Sequence, residues 1–154
     1  MKDDKPRLVI EFPIHEKDFL AAGESASKTK KALQQLGLKA EVAKNSAVIV
    51  YEAAMNVVIH AISGKLKIVI IPDEVVIVAE DVGPGIPDIE LAMQEGYSTA
   101  PNEIREMGFG AGMGLANIQH CSDELNIESE PGVGTVLTAR ISLTQRDGNP
   151  VGNS

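Results

Sequence analysis

Between Lys65 and Asp81 the chain reads KLKIVIIP and then EVVIVAED, with Pro72 and Asp73 at the junction. Two consecutive runs this rich in Val and Ile, split by turn-forming residues, predict a β-hairpin at the heart of a sheet. The second run is almost wholly apolar until Glu80 and Asp81, a pattern that suits a central strand covered on both faces. It also poses a problem. A carboxylate at the end of a buried strand is costly unless something donates to it. Asp81 then accepts either from nearby backbone amides or from a ligand, for which an exocyclic adenine amine is a suitable donor.

The flanking segments supply what the hairpin must pack against. RLVIEFPI (7–14) predicts an edge strand, since Pro13 cannot donate to a ladder. Residues 16–37 predict a helix with Phe19, Ala26, Leu33 and Leu36 at rough helical spacing, stopped by Gly37 and weakened by Gly23. Residues 39–62 predict a longer helix closed by Ser63-Gly64. After the hairpin come VGPGIP, a short helix near 88–95, a polar loop, and a helix from about Met113 to Cys121. ELNIESE and GTVLTARISL predict a closing strand pair around the turn PGVG. The expected fold class is α/β, an α+β two-layer sandwich: a mixed β-sheet with helices on one face. One domain is expected over 1–154, with its core at about 7–143 and a loose tail from 144.

Composition narrows the partners. The chain has 154 residues, 44% hydrophobic and 23% charged, enough for a globular core. Aromatics are 3% and Trp is absent, which disfavours stacking on nucleic-acid bases. The net charge of −8 disfavours nucleic acid and anionic membranes. Cys121 is the sole cysteine, so no disulfide and no cysteine metal cluster forms within one chain, and a lone thiol suits a reducing cytoplasm. The charged N-terminus lacks a signal-peptide core, and no uninterrupted apolar run reaches the roughly 18 residues of a membrane span.

Glycine is concentrated at three places. Gly83 and Gly85 follow the buried strand; Gly108, Gly110, Gly112 and Gly114 alternate just before a helix; Gly132 and Gly134 flank the last turn. Glycines feeding a helix start leave N–H groups aimed one way, where the helix dipole favours phosphate. A flexible loop with a helix cap explains the same pattern. Two phosphate templates fit poorly: no Lys follows these glycines as a P-loop needs, and GFGAGMG follows a polar loop where a dinucleotide fold needs a strand.

The stretch YEAAMNVVIHA carries Glu52, Asn56 and His60 in steps of four. Such residues advance about 40° per step, so they form one slanted stripe. A carboxylate can activate a hydroxyl, an amide oxygen can ligate Mg²⁺, and an imidazole can contact a phosphate. A solvated helix face is the plainer explanation of the triplet alone.

Taken in order, these segments resemble the Bergerat-type ATP-binding fold shared by DNA gyrase B, Hsp90, histidine kinases and MutL. EAAMNVVIH resembles its N-box, EDVGPGI its Asp-x-Gly-x-Gly box, GFGAGMGL its second glycine box, and GVGT its terminal Gly-x-Gly-Thr hairpin. The likeness spans about residues 7–143. It is closest to the small anti-sigma-factor serine/threonine kinases and switch kinases of Gram-positive bacteria. The rich glycine run resembles the switch-kinase branch, which also activates phosphatases, and the lid is long for a small anti-sigma kinase.

The resemblance implies ATP and Mg²⁺ as cofactors. It implies that Glu52 orients or deprotonates the attacking hydroxyl and that Asn56 holds Mg²⁺. His60 is placed among the nucleotide contacts. Asp81 would bind the adenine amine, with Thr135 assisting through water, and Gly83 and Gly85 would shape the adenine wall. The phosphates would lie on Gly108, Gly110, Gly112, Met113, Gly114 and Leu115. Residues 96–110 would form a lid carrying Arg105, either near the γ-phosphate or as an exposed charge. The implied activity is phosphorylation of a Ser or Thr on a small anti-sigma antagonist protein. A sigma factor or phosphatase is a further implied partner, and a homodimer is compatible with the resemblance. The alternative is a nucleotide-gated binding module without turnover; a bare ATPase ranks last.

Overall fold

The computed structural model describes residues 6–94 and 114–144. Five strands form one sheet: β1 (Leu8–His15), β2 (Ser63–Ile71), β3 (Glu74–Val82), β4 (Glu124–Glu130) and β5 (Gly134–Ser142). Their spatial order is β1-β2-β3-β5-β4. The described helices are α1 (Phe19–Gln35), α2 (Ala40–His60), the short α3 (Ile89–Ala92) and α4 (Gly114–Cys121).

Each sequence-predicted element is present within a few residues of its expected bounds. α1 opens on Asp18, whose carboxylate accepts from the Ala21 N–H at 3.2 Å. It ends where Gly37 takes φ of +80°, with Leu38 N–H returning to Leu33 C=O and Gly37 N–H to Gln34 C=O. That pair of bonds is a Schellman stop, available because glycine enters the left-handed region without a Cβ penalty. Gly23 does not break the helix; it lies on the exposed side with nothing within 4 Å of a built Cβ.

Two expectations need correction. All four strand pairings are antiparallel, so the sheet is not mixed. A single crossover helix returns the chain to start a parallel strand. Here α1 and α2 both intervene between β1 and β2, which delivers the chain to the opposite end, and β2 runs back. The central strand β3 is not covered on both faces either. Val75, Ile77 and Ala79 are buried against the helices, while Val76 and Val78 on the other face are only half-buried. That outer face has no covering layer among the described residues, and β1 is an edge strand as expected.

The core lies between the sheet and α2. On the hairpin, Leu66, Ile68, Ile70, Val75 and Ile77 are fully buried, and they meet Ile49, Val50, Val57 and Val58 from α2. Full burial of each such side chain contributes about 1.5–3 kcal/mol. α2 is long and apolar enough to cross a membrane by length and composition, with mean hydropathy 1.3 over its best window. Nine of its residues are buried inside the protein, however, which is the pattern of a core helix.

Candidate functional site

α2 does not bury all its sides. The stripe that carries Asn56 and His60 looks into a cavity of about 350 Å³. Asp81 enters from the end of β3, Thr135 and Leu137 from β5, and Gly114 and Leu115 from the start of α4. The loop from Pro84 to Asp88 and residues Leu91 and Ala92 of α3 close the remaining side. The volume falls in the range of about 300–1,000 Å³ usual for small-molecule sites. Segments far apart in sequence meet here because β5 pairs with β3 in the register Asp81↔Thr135.

One end of the cavity is made by strand backbone. Thr135 N–H donates to Asp81 Oδ1 at 3.1 Å. This leaves Oδ2 without a hydrogen-bond partner among the described residues. Burial pushes the Asp81 carboxyl above its usual range, and the Thr135 N–H partly offsets the rise. Ser129 on β4 ties this end together. Its Oγ accepts from the Ile86 N–H at 2.6 Å and lies 3.1 Å from Thr135 Oγ1. Gly85 is held against the same hairpin: it has φ of +77°, and a Cβ there would stand 2.7 Å from Glu130 C=O and 2.9 Å from Ser129 Oγ. Only glycine meets both requirements.

The other end is made by side chains on two helices. α4 packs against α2, with Gly114 beside both Glu52 and Asn56 and Asn117 bonded to Glu52. A Cβ built on Gly114 would be 3.4 Å from Glu52 Oε1 and 3.6 Å from Asn56 Oδ1. Two hard oxygen donors therefore face one small space at the first residue of a helix. Glu52 itself sits at the rim and is not part of the cavity lining. Asn117 donates from Nδ2 to Glu52 Oε2 at 2.9 Å.

The structure thus brings Asn56, His60, Asp81, Gly85, Gly114, Leu115 and Thr135 to one cavity, with Glu52 beside it. His60 is partly buried, and desolvation pulls its imidazole below the ordinary histidine value, so it is neutral at pH 7. Gly83 does not line the cavity. It packs behind it, with a built Cβ 2.9 Å from Ala61 Cα. Cys121 lies on the Gly114–Asn117 side of α4; burial raises its thiol pKa, with opposing influences from Lys44 and Glu52. Arg105, Gly108, Gly110, Gly112 and Met113 lie outside the described residues. Sequence reading missed Asn117 and Ser129. The signal for Asn117 was its spacing of three from Gly114, which puts both on one helix face. Ser129 carried none beyond its inward parity on an alternating strand.

An antiparallel sheet with helices on one face, and a cavity whose walls are a carboxylate strand end, a glycine turn and an Asn-bearing helix, define a nucleotide-binding class. The chain belongs to the histidine kinase-, DNA gyrase B-, and HSP90-like ATPase family, whose sequence profile matches residues 41–145. It is 40% identical over 93 residues to the anti-sigma F factor of Caldanaerobacter subterraneus, a match covering 57% of this chain and 62% of that protein. It is 36% identical over 92 residues to the serine/threonine-protein kinase RsbT of Bacillus subtilis, covering 57% and 63%. The anti-sigma F factor of Halalkalibacterium halodurans is 32% identical over 109 residues, 63% of this chain and 67% of that one. The matched region thus spans a little over three-fifths of the first two relatives. Among solved structures, the SiaB–SiaC complex from Pseudomonas aeruginosa holds a similar fold, with a TM-score of 0.58, 16% identity and 90% of each chain covered.

Proposed function

We propose that this protein is a MgATP-dependent serine/threonine kinase of a cytoplasmic partner-switching module, acting on a small anti-sigma antagonist protein. The observation that carries the reading is the convergence of Glu52 Oε1 and Asn56 Oδ1 on one point at the start of α4. A binding site for ATP alone has no use for a carboxylate beside the phosphate end.

In this reading the adenine amine donates to Asp81 Oδ2, and Thr135 completes the base contact through water. Gly85 lets the wall approach the base. His60, being neutral, adds no charge to the pocket. The N–H groups of Gly114 and Leu115, with Gly108, Gly110, Gly112 and Met113, receive the phosphates. The Asn56 amide oxygen is a hard donor that would hold Mg²⁺, leaving Glu52 for the hydroxyl. Such an ion would supply charge neutralisation at the phosphates. Glu52 orients the incoming Ser or Thr hydroxyl and takes its proton as the new oxygen–phosphorus bond forms, while the bond from the γ-phosphorus to the β–γ bridging oxygen breaks and ADP leaves. Catalysis is then positioning plus electrostatic stabilisation. A sigma factor or phosphatase as a second partner, and pairing of two copies through the open sheet face or the β1 edge, belong to the same proposal.

The test is transfer of label from γ-labelled ATP to the antagonist protein from the same genome, with Mg²⁺ present. No label on any Ser or Thr sinks the reading. ATP titration of wild type and Asn56→Ala, with and without Mg²⁺, isolates the metal role: wild type gains affinity from Mg²⁺ and the variant does not. A second reading, nucleotide-gated binding without turnover, predicts that Glu52→Ala keeps full regulatory function.

A further inference from the structure

Glu52 has two carboxylate oxygens, and the structure treats them differently. Oε1 faces Gly114 and Asn56, while Oε2 accepts from Asn117 Nδ2 at 2.9 Å. The Asn117 side chain must present its amino group here, because its carbonyl has nothing to donate to an ionised carboxylate. The two residues stand 65 apart in sequence and on different helices, so the bond is a tertiary link between α2 and α4. Asn117 is one helical turn from Gly114, with Leu115, Ala116 and Ile118 buried around it. Its backbone is therefore anchored by core packing, and its side chain reaches back to α2 from a fixed base.

We propose that Asn117 is a positioning residue that clamps Oε2 of Glu52 and so selects Oε1 as the oxygen offered to the incoming hydroxyl. An unclamped glutamate would rotate about its terminal bond, where the torsional profile is broad. The clamp removes that freedom before substrate arrives, which is where a positioning group acts on rate without acting on nucleotide affinity. The proposal rests on the reading of Glu52 as the group that handles the hydroxyl.

The experiment is transfer of label from γ-labelled ATP at varied ATP concentration, with Mg²⁺ and saturating antagonist protein. It compares wild type, Asn117→Ala, Asn117→Leu, Glu52→Ala and the Asn117→Ala/Glu52→Ala pair. Asn117→Leu keeps the side-chain shape without the donor and guards against a packing effect. Both Asn117 variants are expected to lower kcat on the order of 10-fold, as loss of a charge-assisted hydrogen bond in the transition state would. KM for ATP stays within about twofold, since neither Asn117 nor Glu52 lines the cavity. In the Glu52→Ala background the Asn117 substitution costs nothing further. An unchanged or raised kcat, a rise in KM alone, or an undiminished loss in the Glu52→Ala background overturns the clamp. Absence of transfer in the wild type instead brings down the kinase reading and the clamp with it, and is distinguished by the wild-type lane alone.

Discussion

At the β3–β5 end of the cavity, Asp81 is fixed by a strand pairing, by the Thr135 N–H and by the Ser129 hydroxyl that reaches both Thr135 and the Ile86 amide. At the α2–α4 end, Glu52 and Asn56 are placed by helix packing, with one side-chain bond, Asn117 to Glu52, across the gap. The first end is set mainly by main-chain hydrogen bonds, the second by side chains. Backbone ladders tolerate substitution but not displacement; side-chain sites are the reverse. Under the proposed function, the Asp81 end is the one for constant recognition of the base, and the Glu52 end the one for chemistry that single residues can tune.

The largest expected effect separates the two ends cleanly. Glu52→Ala should reduce phosphoryl transfer by about 10²–10⁴-fold, the usual contribution of a positioned base, while leaving ATP affinity nearly unchanged in a titration. Asp81→Asn should do the opposite. Losing a charged acceptor costs about 1.5–3 kcal/mol of binding, or roughly 10–100-fold in Kd by calorimetry. If both variants lose affinity equally, the division between the ends is wrong. Ser129→Ala should be milder, weakening ATP binding a few-fold and lowering stability by about 1 kcal/mol in urea unfolding, because the Ile86 amide loses its acceptor.

The smallest effect is on pH dependence. The folded state holds the His60 pKa below its ordinary value of 6.5, so the unfolded chain binds its proton first as pH falls. Stability contributed by neutral His60 is therefore full above about pH 6.5 and declines below it, until the folded-state pKa is passed. The slope from one group cannot exceed about 1.4 kcal/mol per pH unit. A His60→Gln variant should show a flatter decline than wild type in urea unfolding between pH 7 and pH 5. A parallel decline would show that His60 titrates without cost to the fold.

Legibility in the sequence followed the same division. The hairpin, both long helices and the closing strand pair were readable because alternation and helical spacing are local. Asp81 stood out as a carboxylate ending an apolar strand and Gly85 as one of a cluster of glycines, whereas Thr135 was marked only by the resemblance of GVGT to a family hairpin. The antiparallel sense of β1 and β2 was not readable, because it depends on whether one or two helices count as the crossover. Val76 and Val78 misled for another reason: an apolar residue reads as buried whether or not a layer covers it. Asn117 and Ser129 were invisible as site residues because their partners, Glu52 and Thr135, are brought to them only by packing of α4 on α2 and pairing of β4 with β5.

The Asp81↔Thr135 register carries one more consequence. Side chains alternate along a strand, so a shift of either partner by one residue would turn its site residue to the open side of the sheet. Only the native pairing sets Asp81 directly opposite Thr135, and a ligand that binds the native state alone stabilises it by RT ln(1 + [L]/Kd). Nucleotide present during refolding would therefore act as a proofreader of strand alignment, drawing misaligned chains toward the single arrangement that can hold it.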